Sequence, residues 1–138
     1  MTSAAGIEER IVALGRSADA VGSVRELLEI CEGVLERWIV ARGEVPTRQQ
    51  REGFRLLALH RQGARGIPSF NACRESCREM VYHYNLIAAD PGHPMTSQRL
   101  AMAAMVAAHL FLFVTGKMEV EQLGEFCCSS RPLRADSA

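Results

Sequence analysis

Lysine is all but missing from this 138-residue chain: Lys117 stands alone against fifteen arginines. That skew fits a GC-rich bacterial genome better than a choice of ligand, so arginine abundance alone carries no functional weight. No lysine follows the glycine-containing loop Gly63-Ala64-Arg65-Gly66 either, and no strand precedes it, which speaks against a phosphate loop of the nucleotide-binding kind. Sustained period-two alternation with β-branched residues is absent, so a sheet is not expected. Near the start, Glu8 and Glu9 interrupt any apolar stretch, which argues against a secretory leader and makes a cytoplasmic location the expectation. The longest uncharged run, Leu100 to Gly116, falls short of the roughly 20 apolar residues that cross a bilayer and contains His109, so a buried helix rather than a membrane contact is expected. Five cysteines make an odd set without a regular framework, and no structural disulfide is expected.

What is present is helical periodicity from end to end. Apolar residues make up 48% of the chain and charged residues 23%, ordinary values for one domain long enough to bury a core. The expected fold is all-α: a single-domain bundle over 1–128 with about five helices plus a short C-terminal one, followed by a disordered tail over 129–138. Ile7, Ile11, Leu14, Ala18 and Val21 follow a three-four spacing that marks a first helix over about 5–20. Ser23 with Glu26 reads as a capping box for a second, running to about Ala41 with Val24, Leu27, Cys31, Leu35 and Trp38 as its stripe. Thr47 with Gln50 offers a second box before a helix that ends near Gln62. Pro68 presets a fourth helix, and Asp90-Pro91-Gly92-His93-Pro94 separates it from a fifth capped by Thr96 or Ser97. The fifth helix is apolar nearly all round over 100–114 and belongs in the middle. There His109 reads as a core histidine, and Met95, Met102 and Met105 as gap-fillers. Gly116 reads as its stop, with a sixth helix from Met118 to about Cys127.

The densest functional candidate is the fourth helix. Phe70, Cys73, Cys77, Val81, Tyr84 and Ala88 recur at helical spacing, with Arg74, Glu75, Arg78 and Glu79 opposite. Buried, inert thiols explain Cys73 and Cys77 most simply. The rival is a thiol- or metal-based sensor that adds His83, Cys31, Cys127 or Cys128 as ligands; no cofactor is expected otherwise, a metal ion being the one that this alternative allows for. Cys73 and Cys77 themselves lie too far apart on one helix to bridge. Tyr82 and His83 face away from that stripe and are the expected surface contacts, with Trp38 a further candidate anchor.

Charge is zero overall but uneven: residues 42–79 carry 8 basic and 4 acidic groups. Arg48, Arg51, Arg55, Arg61 and Arg65, with His60, form a basic tract that faintly suggests a helix-turn-helix. The break before the fourth helix is long for that motif, and the helix it leads into bears paired acidic residues, so nucleic-acid binding is disfavoured. No catalytic residues are identified. The expectation is a small, non-enzymatic bacterial interaction or regulatory protein working through helix faces, with a protein partner or by self-association as a dimer. The thiol sensor and a nucleic-acid-binding regulator stand as alternatives.

Overall fold

The computed structural model describes residues 4–123. Five α-helices follow one another without a strand among the described residues: α1 (Ala4–Gly15), α2 (Ala20–Ala41), α3 (Arg55–Gly63), α4 (Ala72–Ala89) and α5 (Thr96–Leu123). A short 3-10 turn, Pro68–Asn71, leads into α4. The chain is an all-α bundle, as its periodicity predicts. Cys127, Cys128 and the tail over 129–138 lie outside the described residues.

Helix α5 is the centre of the arrangement, since α1, α2 and α4 all pack on it, while α3 packs on α2 and α4. Its inward side supplies Leu100, Ala103, Ala107, Leu110, Phe111 and Val114 to a core completed by Ile11, Leu27, Leu35, Leu59, Met80 and Ile87. Small residues let the helices approach closely: a Cβ on Gly15 would fall 2.7 Å from that of Ala104, so α1 meets α5 there only because Gly15 has no side chain. Trp38 is a core residue, as its place in the α2 stripe predicts, and not a surface anchor. Its ring stacks on Phe70 at 4.7 Å, and its indole N–H donates to the Gly63 carbonyl at 2.9 Å, so its one polar group is satisfied on burial.

Several element boundaries differ from those expected, each for a local reason. Helix α1 stops at Gly15, and α2 is capped by the Asp19 carboxylate, which accepts the Gly22 N–H at 3.1 Å. Ser23 is therefore one turn inside α2 and buried. Thr47 caps no helix. Its hydroxyl accepts the Gln49 N–H within the loop, and its own N–H donates to the Gln62 side chain at 2.8 Å. The chain turns instead at Arg51–Phe54, which exchange both backbone hydrogen bonds across Glu52 and Gly53. Both central residues have positive φ, 54° and 85°, as a mirror-image two-residue turn requires, and α3 starts directly after it. Gly116 does not end α5, which continues through it to Leu123, so no separate sixth helix begins at Met118.

Candidate functional site

The three described cysteines all lie in the core. Cys31 on α2 and Cys73 and Cys77 on α4 are all free thiols with essentially no solvent exposure. Burial pushes the Cys31 thiol up to about 12 and the Cys73 thiol up to about 11. Burial also raises Cys77 well above its ordinary value, with the neighbouring Cys31 and Cys73 thiols adding to the effect. The Cys73 thiol donates to the Phe70 carbonyl at 3.2 Å. Such groups hold almost no thiolate at neutral pH, which is the form that attacks electrophiles or binds metal. Among the described residues no group of three or more histidine, cysteine or acidic side chains is arranged to hold a metal ion.

Helix α4 buries a different line of residues from the one expected. Its inward side is Cys73, Ser76, Cys77, Met80, His83 and Ile87, while Val81 and Tyr84 are half-buried and Ala88 is exposed. Both lines hold one direction round the helix, but at 100° per residue the buried line is centred roughly 70° from the expected one. His83 is thus buried, a correction to its expected place on the surface, and its Nδ1 has no hydrogen-bond partner. Burial lowers its pKa, and Arg99 adds to that lowering against the opposing pull of Glu79. Tyr82 remains exposed, its ring edge-on to His83 at 5.4 Å.

The outer side of α5 is the first surface that stands out. Met102, Met105, Leu112 and Val120 are 50%, 71%, 56% and 53% exposed, and Met95, just before the helix, is 47% exposed. At 100° per residue these helix positions share one face with Ala101, His109 and Gly116. The methionines are surface residues rather than core gap-fillers, and His109 is exposed with them rather than buried. Residues Thr96–Glu121 are long and apolar enough, by length and composition, to cross a membrane, a longer stretch than the uncharged run alone suggests, but only 39% of the most apolar window is buried inside the bundle.

The second surface is a basic groove between α3 and the start of α4. Arg51, Arg61, Arg65, Arg74 and Arg78 line a cavity of about 360 Å³, with Asn71 at its edge and Leu57, His60 and Ala64 as its wall. Of the five arginines in the expected basic tract, three come together here. Arg55 turns away onto Glu36 and the Thr47 carbonyl, and Arg48 does not line the groove. Arg74 and Arg78 complete the cluster from α4. Their spacing of four residues places them on one side of that helix, but only the packing of α3 against α4 brings them to Arg61 and Arg65.

No protein-family model matches this chain, and neither a curated protein nor a solved structure is significantly similar to it.

Proposed function

We propose that this chain is a non-enzymatic bacterial interaction protein of the cytoplasm that pairs with a second copy of itself through the outer face of α5. The observation that carries this reading is the row Met102, Met105, Leu112 and Val120, four large apolar side chains half or more exposed along a single helix face. A helix that is apolar on all sides is stable in water only when all sides are covered, and contiguous apolar patches of this kind mark interaction sites.

A second copy is the occupant that this face suits. From Met102 to Val120 the row is about 27 Å long, close to the roughly 28 Å edge of a patch burying about 800 Å² per partner. No formal charge lies between Leu100 and Gly116, and Glu119, which shares the face, sits near its C-terminal end, so the central part of two such faces meets across a two-fold axis without like-charge repulsion. Methionine adapts its shape to whatever faces it, which favours self-complementary packing. A membrane span suits the helix less well: its inward residues, Leu100, Ala103, Leu110, Phe111 and Val114, belong to the bundle core, and crossing a bilayer would dismantle that core.

Sedimentation equilibrium tests the reading. The wild-type chain is expected to sediment as a dimer and the Met105→Glu, Leu112→Glu double variant as a folded monomer, since both side chains point to solvent within one copy. A wild-type chain that stays monomeric up to roughly millimolar concentration overturns self-association, and so does a monomer that instead partitions onto phosphatidylcholine vesicles.

A further inference from the structure

The groove between α3 and α4 presents five guanidinium groups against two carboxylates. Glu52 pairs with Arg78 at 2.9 Å, and Glu44 reaches Arg65 at 3.9 Å. The side chains of Arg51, Arg61 and Arg74 make no hydrogen bond or ion pair among the described residues, and Arg51 lies within electrostatic reach of Glu52, so the cavity gathers five guanidinium groups against two carboxylates. A second depression of about 490 Å³ shares Arg51, Arg61 and Arg65 and adds Thr47, Gln49 and Gln62 as hydrogen-bonding groups. Five guanidinium groups lining one cavity with two carboxylates leave an excess of positive charge, which an anion with several charges neutralises.

The independent geometry of this groove points to a binding site unrelated to the α5 face: we propose that it takes a compact ligand carrying two or more linked phosphate groups. Guanidinium forks hold phosphate oxygens in pairs, and three of them around one cavity match a short phosphate chain better than a single monoanion. The cavity is also of the size that holds a small ligand rather than a duplex. A nucleic-acid strand fits less well. Strand-binding surfaces stack bases on exposed aromatic rings, and the only aromatic ring lining either depression is His60, which is buried, stacked on Phe70 at 6.4 Å and hydrogen-bonded to the Phe70 carbonyl at 2.9 Å. Leu57 and Ala64 offer a short apolar wall for whatever non-phosphate portion the ligand carries.

Calorimetric titration of the full chain with inorganic tripolyphosphate at low ionic strength tests the assignment. Expected is saturable one-to-one binding that the Arg61→Ala, Arg74→Ala double variant weakens by at least about tenfold, with Arg25→Ala on α2 binding as the wild type does. Arg61 and Arg74 are exposed and unpaired, so an unchanged melting temperature is expected to show that the variant is folded. Absence of saturable binding by the wild type overturns the proposal, as does equal weakening by the Arg25 variant. A uridine oligonucleotide of about ten residues that binds more tightly than tripolyphosphate overturns it in favour of a single strand.

Discussion

At the scale of single residues, burial of titratable groups dictates how stability depends on pH. Burial lowers the pKa of His60 and His83 below the ordinary 6.5 and raises those of Cys31, Cys73 and Cys77 above the ordinary 9.0. Below about pH 6.5 the unfolded chain takes up protons that the folded imidazoles refuse, so stability falls as pH drops. Above about pH 9 the unfolded thiols ionise while the folded ones stay neutral, so stability falls again as pH rises. Moving the Cys31 pKa to about 12 corresponds to as much as about 4 kcal/mol once the unfolded thiol is fully ionised. Urea-unfolding midpoints are therefore expected to form a plateau between about pH 6.5 and 9 and to fall on both sides. Cys31→Ala should lower the plateau, by leaving a cavity, and flatten the alkaline limb. A wild-type midpoint unchanged up to pH 11 contradicts the thiol part of this account.

Residue placement was legible in the sequence where a face was well defined. The burial of Cys73 and Cys77 follows from the stripe on α4, but that of His83 does not, because packing selects a direction roughly 70° round the helix from that of the stripe. His109 failed for the opposite reason: α5 is apolar all round, so its sequence names no inward side, and only the positions of α1, α2 and α4 decide which residues are left out.

At the scale of elements, the type of every long helix could be read from periodicity, and the errors lie at the ends. Two side chains competed to cap α2, and Asp19, earlier in the chain, took the role that the Ser23–Glu26 pattern suggested for Ser23. The hairpin turn before α3 rests on Glu52 at positive φ, a conformation that glutamate rarely adopts and that its sequence neighbours do not announce. Gly116 offers the sharpest test. As the residue after a helix it would need a left-handed backbone, and alanine there would be strained. Within a continuous helix, with nothing within 4 Å of an added Cβ, alanine is favoured. Gly116→Ala is expected to raise stability by about 0.5–1 kcal/mol, measured as an increase in the urea midpoint. A decrease would mean that α5 ends where the sequence first suggests.

At the scale of the molecule, neither candidate surface was legible in one dimension. The basic tract was visible as a run of arginines, but its useful members are those that the α3–α4 contact assembles, and two of them come from a helix read for its cysteines. The open face of α5 exists because three helices cover a helix with more than three sides to hide. The central claim, that this face is closed by a second copy, is tested most directly by methionine-methyl carbon-13 NMR over a dilution series with a soluble paramagnetic agent. The methyl signals of Met102 and Met105 are expected to shift with concentration and to lose their broadening as the dimer forms, while that of Met80, fully buried within one copy, stays fixed throughout. Met102 and Met105 signals that remain broadened and unshifted from dilute to concentrated protein would contradict the account.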